Sequence, residues 1–374
     1  MSWATSPFVT RVTNATGRNG YTAGLLVLAV LIAVAFTAVN PATYASILNV
    51  QSIAFSVPEI GLMALAISIA MTTAGIDLSI VAVANLSALT VAFVSLQGQE
   101  AGMSTPLVSV VAVAAALVVG LLCGAVNAVV ISIVGVAPIL ATLATQMLLT
   151  GLAVALTRGE PIYGLTPELT ALGTGTFARI PIIFWLFLLI VASAWFIMSK
   201  TGYGMRATLV GANAVASDYS GINRRSVIFR TYMLTGIISA LAGLMMVMRT
   251  VSASAGYGSS YLLLAITIAV LGGVSPFGGR VAVWGAALAA VILQLISSGF
   301  NLLGISPYIY QMVQGLILAG VMVARVERVR VAAAISRWRT GRSTPAPSPL
   351  AEQPYEEGHH GESESDPQLS SSVR

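Results

Sequence analysis

The chain has 374 residues, of which 57% are hydrophobic and only 8% charged, and its mean hydropathy is +0.89. A soluble domain is about one quarter charged, so this composition excludes one and points to an integral membrane protein. The formal charge of +5 comes from basic residues scattered between apolar runs, which excludes a continuous nucleic-acid surface.

Residues 1–20 are polar, carry Arg11 and Arg18, and read as a cytoplasmic N-terminal segment rather than a cleavable leader. Ten apolar segments follow, at about 21–39, 51–72, 78–96, 107–134, 138–157, 181–199, 227–249, 261–274, 281–300 and 308–324. Most have the roughly 20 residues a helix needs to cross the hydrocarbon core. The spacing therefore predicts an all-α transmembrane domain over 21–325 with about ten spanning helices.

Within the second segment Glu59 follows Pro58. An ionised carboxylate is expensive there, so Glu59 is expected to be protonated, hydrogen-bonded or facing water. Asp77 lies at the predicted cytoplasmic boundary, where it or Ser79 is expected to cap the third helix. Asn85 and Asn127 are solitary amides in the third and fourth segments and read first as packing hydrogen bonds. Gly120 and Gly124, four apart, allow another helix to approach closely. Between them stands Cys123, the only cysteine, which excludes a disulfide framework or a cysteine-ligated zinc cluster. In the fifth segment Pro138 suits a helix start, and Thr142, Thr145 and Gln146 share one face with Thr150 close to it. Such a stripe either lines a polar pathway or bonds neighbouring helices.

Residues 200–230 form a basic, glycine-punctuated stretch with Lys200, Arg206, Arg224, Arg225 and Arg230. A short helix is predicted over 213–219, bounded by Gly211 and Gly221. Two readings remain open on spacing alone: a docking element for a soluble partner, or a basic loop that only fixes orientation. The eighth segment is short and runs into LGGVSPFGG at 271–279, which predicts a helix that breaks inside the bundle. In the ninth, Gln294, Ser297, Ser298 and Asn301 fall on one face, again as pathway lining or packing.

Residues 326–374 begin basic and then turn polar, with five prolines, seven serines and six acidic residues over 340–374. That composition buries too little surface to fold and predicts a disordered cytoplasmic tail. Both histidines, His359 and His360, lie in it, and Lys200 is the sole lysine. The membrane part thus offers few groups for acid–base or nucleophilic catalysis. No GxxxxGK[ST] phosphate loop occurs, so ATP hydrolysis by that route is excluded. With both termini inside, only Arg158, Arg179 and Arg249 of the 18 basic residues fall outside, as the positive-inside rule requires.

Several phrases resemble one family. Thr73-Ala74-Gly75-Ile76-Asp77-Leu78-Ser79 is similar to the TGGIDLS signature of ribose-type permeases of bacterial ABC importers. Residues 137–145 with Gly151-Leu152-Ala153 resemble their PPFIATLGT…RGLA stretch. Gly211-Ala212-Asn213, Ala216 and Ser220-Gly221-Ile222 resemble their GGNxEAAxxSGI cytoplasmic loop, and 269–273, 278–280 and 301–304 match the closing segments. Val215 stands where the family usually has glutamate, Ser217 replaces the second alanine, and Ala74 replaces the first signature glycine.

The resemblance implies a permease subunit of the type II, vitamin-B12-importer-like ABC fold in a bacterial plasma (inner) membrane. It implies a second permease subunit, cytoplasmic ABC ATPases that hold the ATP and Mg, and an external solute-binding protein. This chain itself then needs no cofactor and is not an enzyme. The 200–230 loop becomes the coupling segment, with Gly211, Asn213, Ala216, Ser217, Ser220, Gly221 and Ile222 as its ATPase-coupling residues. Glu59, Asn85, Thr142, Thr145, Gln146, Gln294, Ser298 and Asn301 are the candidate pathway residues, for a monosaccharide or related polar uncharged solute. The rival reading is an ion-coupled secondary transporter, which requires paired broken helices and an ion site. The sequence offers one broken segment and no carboxylate relay.

Overall fold

The computed structural model describes residues 7–340, with side chains from 20 to 323. The segments 1–6 and 341–374, including nearly all of the tail expected to be disordered, lie outside the described residues. Contacts divide the chain between Val323 and Ala324, and the first unit carries everything below.

The first helices are α1 (Pro7–Val39), α2 (Pro41–Tyr44), α3 (Ile47–Thr72), α4 (Ile80–Glu100) and α5 (Thr105–Val129), the last prolonged by a π turn at Val130–Val134. Next come α6 (Pro138–Thr157), α7 (Pro167–Thr174), α8 (Ile182–Lys200), α9 (Gly202–Ala212) and α10 (Ala214–Tyr219). The rest are α11 (Arg224–Thr250), α12 (Tyr261–Leu271), α13 (Val283–Leu302) and α14 (Pro307–Thr340). Short polar side chains and prolines mark the starts. Ser46 and Asn223 accept the backbone N–H of Asn49 and Ser226, and prolines open α5, α6 and α7.

Eight helices among the described residues are long and apolar enough to cross a bilayer. They are Gly20–Val39, Ile47–Thr72, Ile80–Glu100, Thr105–Val134, Pro138–Thr157, Ile182–Lys200, Arg224–Thr250 and Val283–Leu302. The other two expected segments, Tyr261–Leu271 and Pro307–Val323, are apolar but shorter. At about 1.5 Å per residue, α12 covers roughly half the hydrocarbon thickness. It stops at Leu271 because Gly273, Gly278 and Gly279 take positive φ values of 105°, 86° and 75°, which no helix continues.

Two helices form the interior. Every residue of α3 from Val57 to Thr72 is buried, and α11 packs against α3, α4 and α5. Helices apolar on all faces have no lipid or water side and belong inside. Close approach of α5 to α11 depends on glycine: a Cβ added at Gly120 would meet the Gly236 carbonyl, and one at Gly124 the Tyr232 carbonyl. By contrast, α1 from Gly20 onward is almost entirely unburied and most of α6 and α8 is too, so these helices stand at the rim.

Small elements cap one end, unforeseen because two-residue strands show no periodicity. Strand β1 (Ile162–Tyr163) pairs antiparallel with β4 (Ser252–Ala253), and β2 (Thr176–Phe177) with β3 (Ile180–Pro181). Helix α7 is tied to α5 through Glu168, which accepts the Thr105 hydroxyl at 2.6 Å. That hydrogen bond is the main reason its carboxyl sits below the usual range.

Candidate functional site

The basic stretch 200–230 is built as two short helices and a turn rather than a loop. Asn213 separates α9 from α10 and caps the latter, its Oδ1 accepting the Ala216 N–H at 2.9 Å. The Ser217 and Ser220 hydroxyls donate to the carbonyls of Asn213 and Ala216, each at 2.8 Å. At the far end Gly221 takes φ +73°, Gly221 N–H bonds the Asp218 carbonyl and Ile222 N–H bonds the Ser217 carbonyl, both at 3.1 Å. That is a Schellman stop, and it leaves both ends of a six-residue helix satisfied. Ser217 is buried beneath α10 and Ile222 half-buried, whereas Asn213, Ala216, Ser220 and Gly221 are exposed. So are Val215 and Tyr219, one helical turn apart and 63% and 91% exposed. Neither was among the residues selected from the sequence; their spacing of four beside a basic run is the signal that marks them. Gly211, like Ser217, is buried.

The connector between α3 and α4, residues 73–79, lies inside the bundle. Asp77 is 3% exposed and so is enclosed by protein. Ser79 stands at the N-cap of α4 without a side-chain cap bond. Instead Asp77 Oδ1 accepts the Ser79 N–H at 3.0 Å and the Ser79 hydroxyl at 2.6 Å. Asp77 Oδ2 accepts the Thr235 hydroxyl of α11 at 3.0 Å, and Asn127 Nδ2 of α5 donates to Ser79 Oγ at 2.8 Å. A buried carboxylate needs such donors to offset its lost hydration. From α6, Thr142 accepts the Leu78 N–H at 3.1 Å, and its hydroxyl lies 2.8 Å from the Pro138 carbonyl and 3.2 Å from that of Ile76. The connector is therefore pinned to α5, α6 and α11.

The remaining candidate residues are held by different elements. Thr145 is buried and bonds the Ala141 carbonyl of its own helix at 3.0 Å. Gln146 is half-buried and borders a surface groove with Leu143, Met147 and Thr150. The expected single face on α6 is thus divided between an inner pair and an outer pair. On α13, Ser298 donates to Asn49 Oδ1 at 2.5 Å, Gln294 is half-buried and Asn301 exposed. Asn85 Nδ2 donates to the Ala255 carbonyl at 2.9 Å.

Glu59 is ion-paired, a state the sequence does not reveal. Its carboxylate receives Arg249 Nε at 3.1 Å and Arg249 Nη2 at 2.8 Å, a two-pronged pair, with the Tyr261 hydroxyl at 3.3 Å. Arg249 Nη2 also donates to the Tyr257 hydroxyl at 2.7 Å. Arginine suits a planar carboxylate in this geometry. No group of three or more metal-ligating side chains occurs among the described residues.

Residues 49–322 match the family described as "Branched-chain amino acid transport system / permease component". The "Autoinducer 2 import system permease protein LsrD" of Enterobacter sp. (strain 638) is 32% identical over 311 residues, covering 80% of this chain and 91% of that protein. The "Ribose import permease protein RbsC" of Escherichia coli (strain K12) is 35% identical over 294 residues, covering 77% of this chain and 88% of that protein. No solved structure matches the chain. The matched span runs from the start of α3 into α14 and takes in the connector and the capped α9–α10 segment. The chain belongs to the branched-chain amino acid transport system permease family, as an integral membrane permease.

Proposed function

We propose that this chain is the transmembrane permease subunit of an ATP-driven, binding-protein-dependent importer of a monosaccharide or related polar uncharged solute. Its fold is of the type II importer class, with ten crossings and both termini in the cytoplasm. The observation that carries this reading is α10: a helix capped at both ends, set in a basic segment, with Val215 and Tyr219 projecting from it. Relatives named as ribose and autoinducer-2 import permeases support the solute class.

Val215 and Tyr219 seat in a cleft of a cytoplasmic ATPase, and Asn213, Ala216, Ser217, Ser220, Gly221 and Ile222 hold α10 in shape for that contact. A second permease, identical or related, packs on the half-polar groove of α6, and solute passes between the two subunits. A solute-binding protein delivers from outside. Gln146, Gln294 and Asn301 keep polar atoms away from the core and are the pathway candidates best placed to meet solute. Glu59, Asn85, Thr142, Thr145 and Ser298 frame the pathway by fixing the helices around it.

The test is uptake into proteoliposomes containing the full chain, its cognate ATPase and its binding protein. Accumulation should require ATP on the ATPase side. Val215→Ala with Tyr219→Ala should lower ATPase copurification by roughly tenfold or more, the scale of a lost aromatic anchor. Uptake by the permease alone under an ion gradient would sink the proposal in favour of a secondary transporter.

A further inference from the structure

Three backbone segments meet beside the coupling helices with almost no side chain between them. The Gly279 N–H donates to the Thr72 carbonyl at 3.1 Å, closing the end of α3 onto the loop before α13. Gly211, in the last turn of α9, packs flat on the same place: a Cβ there would lie 1.9 Å from the Thr72 carbonyl oxygen and 2.7 Å from the Gly279 nitrogen. A Cβ on Gly278 would lie 2.6 Å from the Gly211 carbonyl and 2.8 Å from Ala74. One on Gly279 would lie 2.9 Å from Ala212. The demand at Gly211 is therefore steric. At Gly278 and Gly279 it is also conformational, since their φ values are +86° and +75°.

This contact is placed between the dock and the core. Asn213, which caps α10, follows α9 directly, so two residues separate Gly211 from the docking helix. On the other side Thr72 ends the buried α3, and Gly279 lies four residues before α13. The adjoining connector is bonded to α5, α6 and α11 through Asn127, Thr142 and Thr235. Backbones in direct contact, without compressible side chains, pass on a displacement with little loss.

Building on the importer reading above, we propose that Gly211, Gly278 and Gly279 form a transmission joint that carries movement of α10 into α3 and α13. They are positioning residues and do not bind the ATPase. Gly211 thereby leaves the set of docking residues to which the resemblance assigns it. The joint moves as one rigid piece, and α10 alone supplies the docking contact.

The experiment uses the complete complex of permease, ATPase and binding protein in proteoliposomes, with Gly211→Ala as the variant. The expected result is wild-type copurification of ATPase, basal ATP hydrolysis within about twofold, and solute taken up per ATP lowered about tenfold. Unchanged uptake per ATP overturns the joint, and so does loss of ATPase copurification by a folded variant, which makes Gly211 a docking residue. Hydrogen exchange on the unmodified complex stands independently of how that variant folds. Peptides covering 206–212 and 274–281 should exchange slowly and equally in nucleotide-free and ATP-trapped complexes. Exchange about tenfold faster in one state would mean that the joint opens, overturning it. If the wild-type complex takes up solute without ATP, the importer reading falls. If it needs ATP and Gly211→Ala is silent, only the joint falls.

Discussion

Glu59 shows what a single side chain in the bundle demands of its surroundings. The carboxylate is 1% exposed and is neutralised by Arg249 in two hydrogen bonds, with Tyr257 and Tyr261 completing the ring of polar groups. Removing one partner of a buried pair leaves the other charge unpaired, which costs about 3–5 kcal/mol, more than the pair itself contributes. Arg249→Leu should therefore lower thermal stability in detergent sharply, whereas Glu59→Gln combined with Arg249→Met should recover most of it. Equal losses in both variants would contradict the ion-pair account. Glu59 is conspicuous in the sequence because carboxylates are rare within membrane spans. Its partner is not, because it lies 190 residues along the chain and Arg249 reads as an orientation signal at a helix end. Thr142 was legible in the same partial way: its polarity marks it, but no periodicity shows that it grips the connector at Leu78.

At the scale of elements, α10 was readable and α9 was not. Asn213 and Gly221 are ordinary start and stop signals, and the structure uses both. Across α9, Gly202, Gly204 and Gly211 read as loop punctuation because glycine is a poor helix former. Packing reverses that preference: a Cβ on Gly204 would collide with the Met198 carbonyl, and one on Gly211 with that of Thr72. These glycines serve contact, and local propensity cannot reveal it. Gly221 differs, since nothing lies within 4 Å of where its Cβ would stand, so only its φ of +73° constrains it. Gly221→Asn, which tolerates that region, should keep ATPase-coupled uptake near wild type. Gly221→Val should weaken the helix stop by about 1–2 kcal/mol and reduce coupled uptake. Identical behaviour of the two variants would show that the Schellman turn is dispensable.

Up to Val323 the chain forms a core of α3 and α11 wrapped by helices whose outer faces are apolar. On α8, Leu189 and Phe196 are 63% and 59% exposed, as lipid contact requires. The groove on α6 breaks that pattern by presenting Gln146 and Thr150 beside Leu143 and Met147. Polar groups facing hydrocarbon are costly, which favours a protein partner on that face. Gln146→Cys in a Cys123→Ala background should cross-link two permease chains on oxidation in native membranes, and Phe196→Cys should not. Cross-linking at residue 196 alone would move the interface away from α6. The membrane class and the positions of eight of the ten expected spans were legible from composition and run length. The spacing of Gly120 and Gly124 also marked a close helix contact, but not its partner: nothing in the local sequence around Gly236 names α11 as the helix received there.

The union of Glu59 with Arg249 also has a consequence for biogenesis. Ribosomes add about 5–20 residues per second, so the acidic member reaches the insertion machinery roughly 10–40 s before its counterion is synthesised. During that interval the helix bearing it must be sheltered by the translocon, by protonation or by a chaperone. An early halt in synthesis would strand that helix with its charge unanswered, marking the fragment for membrane proteases.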